Sequence, residues 1–224
     1  MGTSMSKGML GIVLTLILMN CTDDYIPEVI GHRGARGHIA ENTLPSIQKA
    51  MALGVDGIEI DIFRCATGEL VVFHDDTLDL LTDAEGYIEQ FPLDSLRKIN
   101  VLGGYQIPTL KEVLELIDGQ VRLNIELKGS QTALLTNELL QNYFSIEESG
   151  WAPEKVFVSS FDWKELELFY SVNQTVPIAI LTEDDPLDAI PVAQQLKAFA
   201  INPDYETLTA KNAKQIQDAG FDLY

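Results

Sequence analysis

An α/β fold built on a parallel sheet is predicted by two patterns in the 224-residue chain. Short apolar runs, several rich in Val and Ile, recur at 28–30, 57–61, 70–73, 121–127, 155–159, 177–181 and 199–201. Amphipathic helical stretches lie between them. Strands that alternate with helices imply βα units and hence a parallel sheet. Seven such units over roughly two hundred residues fit a (β/α)8 barrel better than an open sheet, although periodicity alone selects neither. No internal repeat, low-complexity tract or linker interrupts the pattern, so residues 27–224 are expected to form one domain.

The helix boundaries carry their own chemistry. Thr43 caps a helix that has Pro45 in its first turn and Gly54 at its end. Thr109 and Glu112 form a T-x-x-E capping box ahead of Val113, Leu114 and Ile117, and Gly119 is the stop. Asp162 with Glu165 repeats that spacing before Leu166 and Phe169. Leu208, Ala213 and Ile216 recur at helical spacing, closed by Gly220. The interval of about 76–107 shows no clear strand–helix unit. Its turn residues, Asp83-Ala84-Glu85-Gly86, predict an excursion over the barrel mouth.

Composition narrows the function. Apolar residues make up 46% and charged residues 22%, ordinary for a globular domain, but the net charge is −19. That balance argues against nucleic acid, whose phosphates need clustered Lys and Arg. Most of the acidity is read as a solubilising surface, and a smaller part is available to a divalent cation. Cys21 and Cys65 are the only cysteines, too few for a disulfide framework. Cys65 follows a strand-like segment, where a small buried hydrophobe is the expectation.

Residues 1–21 read as an address. Lys7 precedes an apolar run at 9–19, shorter than the roughly 20 residues of a membrane span and fitting the core of a secretory signal. Cys21, directly after Leu18-Met19-Asn20, resembles the lipidated cysteine of bacterial lipoproteins, although Asn20 replaces the usual small residue. An exported protein is expected, periplasmic or in the cell envelope, and held at the membrane through a lipid on Cys21.

The chemically capable residues cluster where strands end. In a barrel of βα units, reacting groups project from the carboxyl ends of strands. The first strand runs into Gly31-His32-Arg33-Gly34, with Glu41-Asn42 in the loop beyond. The second carries Glu59 and Asp61, the third ends at His74-Asp75, and the fourth carries Glu126 and Lys128. Residues two apart on a strand face one side, so Glu59 points with Asp61 and Glu126 with Lys128. Three converging carboxylates make a hard oxygen site suited to Mg²⁺ or Ca²⁺. Ion pairing to Arg33 and Lys128 is the bland alternative, and the carboxylates outnumber those cations. His32 and His74 flank the acids as an acid and a base would. The third histidine, His38, lies in a loop with no such company.

The ordered string His32-Arg33-Gly34, Glu41-Asn42-Thr43, Glu59-x-Asp61, His74-Asp75, Glu126-x-Lys128 resembles the glycerophosphodiester phosphodiesterases. Further similarity lies in Ile107-Pro108-Thr109-Leu110-x-Glu112-Val113-Leu114, Ser159-Ser160-Phe161 and Asn202-Pro203-Asp204-Tyr205, spanning about residue 28 to the end. The resemblance implies a TIM barrel with a small insertion after the third strand. It implies one divalent cation on Glu59, Asp61 and Glu126, and His32 and His74 as the acid–base pair. Arg33 and Lys128 would grip the substrate phosphate, and Glu41 would support the site by orienting Arg33 or binding the metal. The activity implied is hydrolysis of a small glycerophosphodiester to glycerol 3-phosphate and an alcohol through a cyclic phosphate. A lysophospholipase D and a non-catalytic phosphoester- or metal-binding lipoprotein are the alternatives.

Two departures from the family pattern stand out. Relatives usually carry an Arg near Leu80, where residues 77–82 read TLDLLT. The family's last strand, with its Trp-Thr-Val-Asn-like motif, should begin near 222, so the chain is expected to be a fragment, its barrel truncated before the eighth strand.

Overall fold

The computed structural model describes residues 27–224; the leader-like segment and Cys21 lie outside the described residues. The sheet path is β1 (Ile30–Gly31), β2 (Gly57–Arg64), β4 (Arg122–Leu127), β5 (Val156–Ser160), β6 (Ile178–Thr182), β7 (Ala200–Pro203) and β8 (Asp222–Leu223). Every pair along this path is parallel. Helices α1 (Leu44–Leu53), α3 (Leu110–Ile117), α4 (Thr132–Phe144), α5 (Trp163–Val172), α6 (Ala189–Gln195) and α7 (Ala210–Asp218) follow successive strands. The sheet curls into an open barrel in which β1 and β8 are the two ends and do not pair with each other.

Alternation along the strands separates two environments. Ile58, Ile60, Ile62, Leu123, Ile125, Leu127, Val156 and Val158 point outward into one core with Ile47, Leu114 and Phe169 of the helices. Burying each such side chain contributes about 1.5–3 kcal/mol, so this face holds the fold. The intervening residues face the lumen. There Phe157, Ala179 and Ala200 form a small apolar cluster, while Glu59, Asp61 and Asn124 are buried polar groups.

The segment 70–73, predicted as a parallel barrel strand, is instead β3 (Leu70–Val72), antiparallel to the end of β2 in the register Ile62↔Val72 and Arg64↔Leu70. Only a short turn joins the two, too short for the crossover a parallel pair needs. The count of barrel strands shifts accordingly. Among the described residues seven lie on the parallel path, one short of a full barrel, but the seventh is β8, paired to β7, rather than 199–201. Residues 76–107 build a second core on this hairpin, where Leu78, Ile88, Leu96, Ile99, Val101 and Ile107 enclose Phe63, Val71 and Cys65. A 3-10 turn (Ile88–Gln90) and the one-turn helix α2 (Leu93–Leu96) are its only helical elements.

Helix signals fared unequally. Thr43 accepts from the Ser46 amide, and Gly54 ends α1 at φ 79°. Thr109 and Glu112 form the full capping box, with the left-handed Asp118 as C-cap ahead of Gly119. The box expected at Asp162 and Glu165 is absent: Asp162 accepts from the Lys164 amide by itself. Glu165 reaches across to α4, accepting from the Gln131 amide at 2.9 Å and the Ala133 amide at 2.8 Å. Helix α4, which the sequence signals did not reveal, has no cap side chain of its own at Gln131; the neighbouring helix supplies one. Leu208 falls ahead of α7, which starts from a Thr209–Asn212 capping box.

Truncating Glu165 to Ala should therefore destabilise the fold by about 1–2 kcal/mol through loss of a cap on a different helix. Urea unfolding should show a lower midpoint with an unchanged m-value.

Candidate active site

The turn after β1 is built so that its backbone serves the site. Arg33 has φ 52° and Gly34 φ 79°, a left-handed pair in which the second position admits only glycine. A Cβ on Gly34 would lie 2.7 Å from Ser46 Oγ and 2.9 Å from the Ile47 amide. Helix α1 braces this turn, because Ser46 Oγ donates to the Arg33 carbonyl at 3.2 Å and accepts from the Ala35 amide at 2.9 Å. So held, the Arg33 amide donates to Glu59 Oε2 at 2.8 Å. The Arg33 guanidinium donates to Glu41 Oε1 at 2.7 Å, and its Nε lies 3.5 Å from Asp61 Oδ2.

Asp61 and Glu126 are direct partners in the β2–β4 register. Glu126 thus sits on the strand next to Asp61 rather than two strands away, because β3 has left the parallel path. Oxygens of Glu59, Asp61 and Glu126 all lie within 4.8 Å of one another. At that separation each pair of full charges repels by about 3.5 kcal/mol, taking an effective dielectric near 20. Glu59 is 8% exposed and Asp61 1%. Burial, reinforced by the neighbouring acids, holds Glu59 well above the usual carboxylate range and pushes Asp61 up to about 6. Asn42, itself left-handed and 2% exposed, opposes this weakly by donating from Nδ2 to Asp61 Oδ2 at 2.8 Å.

The donor set fits a hard cation. Glu59 Oε1 is buried without a hydrogen-bond partner, and an all-oxygen set suits Ca²⁺ or Mg²⁺. Of the nearby cations, Arg33 pairs mainly with Glu41 and leaves its Nε, 3.5 Å from Asp61 Oδ2, without a hydrogen-bond partner, while Lys128 Nζ lies 3.3 Å from Glu126 Oε1, so two cations face three cluster carboxylates and Glu41.

The hairpin brings His74 to the same rim, since the amide of Phe73 bonds back to the Asp61 carbonyl. His74 Nδ1 lies 2.6 Å from Asp75 Oδ1, and Nε2 lies 3.3 Å from Lys128 Nζ. A lysine ammonium only donates, so Nε2 carries the lone pair and Nδ1 the proton given to Asp75. His32 Nε2 lies 3.8 Å from Glu59 Oε2, yet its pKa falls to about 4, through burial first and then Arg33 and Arg36.

One cavity of about 570 Å³ joins His32, Arg33, Glu59, His74, Glu126 and Lys128. Glu41 and Asp61 touch it through Arg33. His38 lines a separate hollow beside β1, and Leu80 is a surface residue. The sequence motifs contained Asn42, Asp75, Phe161 and Asn202 without giving them a role, and Asn124 and Glu183 were in none of them. Asn124, two residues before Glu126 on one strand, was findable by alternation; it accepts from Ser159 Oγ at 2.8 Å.

An open parallel barrel with an acid-lined rim, two imidazoles and two cations around one cavity is the frame of a barrel enzyme with a polar, charged site. Residues 32–224 match the glycerophosphoryl diester phosphodiesterase family, and the chain belongs to it. It is 31% identical over 206 residues to a glycerophosphodiester phosphodiesterase of Caldanaerobacter subterraneus subsp. tengcongensis, covering 88% of this chain and 83% of that one. An Oleispira antarctica phosphodiesterase, solved with the product sn-glycerol-3-phosphate, superposes with a TM-score of 0.76 at 27% identity, covering 88% and 83% of the two chains. The Thermotoga maritima glycerophosphodiester phosphodiesterase, at 21% identity and a TM-score of 0.70 over 89% and 85%, shares the fold.

The raised carboxyls fix a pH signature. A carboxyl held above its unfolded pKa favours the native state while protonated and loses that contribution as pH rises through its folded value. Without metal, this cluster should therefore cost stability as pH climbs through about 6. Added Ca²⁺ should raise the Tm more at about pH 7.5 than at about pH 5. Scanning calorimetry at the two pH values checks this, with Asp61→Asn expected to remove most of the difference.

Proposed function

We propose that the chain hydrolyses glycerophosphodiesters to glycerol 3-phosphate and an alcohol, using one divalent cation, Ca²⁺ or Mg²⁺, on Glu59, Asp61 and Glu126. The observation that carries this reading is the placement of His74 Nε2 beside Lys128 Nζ at the rim of that carboxylate cluster. When bound, the cation would polarise the phosphoryl oxygens and offset charge building on them.

The chain's own groups supply the rest. Lys128 and the Arg33 guanidinium, anchored by Glu41, hold the phosphodiester anion. His74, with its proton on the Asp75 side, presents its Nε2 lone pair to the glycerol 2-hydroxyl once Lys128 turns from it to the phosphate. That oxygen then forms a bond to phosphorus while the bond to the headgroup oxygen breaks. His32, across the cavity, gives the departing alkoxide the proton it takes up with the anionic substrate, whose charge raises a pKa that burial, Arg33 and Arg36 hold low in the free protein. In the second half water opens the cyclic phosphate, His32 now accepting a proton and His74 returning one. Asp75 fixes the His74 tautomer throughout, the role a buried carboxylate plays behind a catalytic imidazole.

The export expected from residues 1–21 belongs to the same reading, placing the enzyme in the cell envelope, lipid-anchored through Cys21. Fractionation of cells expressing the full chain or Cys21→Ser tests it; both in the soluble cytoplasmic fraction would sink it.

Release of glycerol 3-phosphate from glycerophosphocholine should stop with EDTA and return with Ca²⁺ or Mg²⁺. His74→Ala and His32→Ala should each lower kcat by about 10²–10⁴-fold, and Asp75→Asn by less. Turnover that survives both EDTA and His74→Ala defeats the reading.

A further inference from the structure

The segments that carry His74 and Lys128 are both held by one element outside the barrel. The 3-10 turn Ile88–Gln90 sits on the β2–β3 hairpin, with Ile88 wholly buried in the second core. On one side the Ile88 amide donates to the Asp76 carbonyl at 3.0 Å, two residues after His74. Tyr87, just ahead of the turn, pairs with Thr77 in an antiparallel bridge. On the other side Glu89 Oε1 accepts from the Ser130 amide at 3.2 Å and from Ser130 Oγ at 3.3 Å, two residues after Lys128. One turn therefore spans both rim segments, whose side chains His74 and Lys128 are 54 residues apart in the chain and meet at 3.3 Å.

The turn is seated tightly against the end of β4. The Lys128 and Gly129 amides both donate to the Ile62 carbonyl, at 3.2 and 3.1 Å, which fixes that end on β2. A Cβ on Gly129 would lie 2.8 Å from Phe63 Cδ1 and 3.0 Å from Glu89 Oε1, so only glycine admits so close an approach. Beyond Ser130, the Gln131 and Ala133 amides are held by Glu165. Between those two anchors, Glu89 supplies the hold on Ser130. Glu89 itself is not among the described residues that line the cavity, so any influence on the reaction passes through its neighbours. Ser130 is exposed, and without Glu89 its donors turn to water and the loop is free to shift. A misplacement of about 1 Å in a reacting group can cost on the order of 10²-fold in rate.

We propose that Glu89 is a positioning residue for the reaction, setting Lys128 against His74 through Ser130. This rests on the proposed function and adds to it a residue of the 76–107 excursion. Lys128 must turn from His74 to the phosphate, and the turn at Ile88–Gln90 fixes where that movement starts and how far it reaches. Arg33, anchored on Glu41, still grips the phosphate when Glu89 is lost. The defect therefore falls on kcat more than on KM.

The test follows glycerophosphocholine hydrolysis, with Ca²⁺ or Mg²⁺ present, in the wild-type chain, Glu89→Ala, Glu89→Gln, Lys128→Ala and the double variant Glu89→Ala/Lys128→Ala. Glu89→Ala should lower kcat by about 5- to 20-fold with KM moved by less than about threefold. Glu89→Gln keeps a side-chain oxygen that accepts from Ser130 and should stay within about twofold of wild type. In the Lys128→Ala background, removing Glu89 should cost less than about twofold, because the residue it acts through is gone. Single-turnover rates with enzyme in excess keep the slower Lys128→Ala chains measurable. A merely structural role would lower the rate equally in both backgrounds. That equal loss, an unchanged kcat in Glu89→Ala, or a Glu89→Gln loss as large as that of Glu89→Ala overturns the positioning role while the proposed function stands. A wild-type chain that hydrolyses no glycerophosphodiester overturns the proposed function, and this inference with it.

Discussion

Three carboxylates crowded at the ends of two adjacent strands set the terms for everything around them. Buried like charges within 4.8 Å oppose folding, and the chain spends much of its local structure keeping them in place. The left-handed turn at Arg33 and Gly34 exists to aim one amide at Glu59. Asn42 adopts a left-handed conformation that lets its side chain meet Asp61 at two points. Helix α1 is locked onto that turn through Ser46. None of these contacts neutralises the cluster, since an amide dipole contributes less than a full charge. The arrangement suits the cation proposed for it, and its electrostatic cost is offset by the apolar face of the same strands.

That division between faces explains how one strand serves two purposes. Ile58, Ile60 and Ile62 anchor β2 in the main core while Glu59 and Asp61 face the lumen. Any register slip of one residue would exchange the two sets. Stability is thus concentrated outside the sheet and chemistry inside it. The β2–β3 hairpin extends the same logic beyond the barrel, for its own core around Phe63, Cys65 and Ile107 supports the strand that returns His74 to the rim.

The parts legible in the sequence were those governed by local rules. Period-2 alternation placed Glu59 with Asp61 and Glu126 with Lys128, and caps at Thr43 and Thr109 were read from their spacing. What stayed hidden depended on partners distant in the chain. Alternation is the same for a parallel and an antiparallel strand, so residues 70–73 gave no sign that β3 runs backward. Glu165 sits at capping-box spacing from Asp162, yet two amides at the start of α4 offered it a better geometry. Helix α4 lacked a local start signal because its cap comes from another helix. Asp75 was visible as a neighbour of His74, but only the fold shows that the adjacent carboxylate and not the lysine takes the Nδ1 side.

The hairpin reversal also decides the geometry of the candidate site. Had residues 70–73 formed a parallel barrel strand, they would have separated β2 from β4, and Asp61 and Glu126 could not be register partners. Because β3 turns back, the two carboxylates close on one another and His74 arrives above them from outside the lumen. Its Nδ1 then faces the hairpin's own Asp75 and its Nε2 faces Lys128 of β4. A single topological departure from regular βα repetition therefore produces both the tight acidic cluster and the orientation of the imidazole over it.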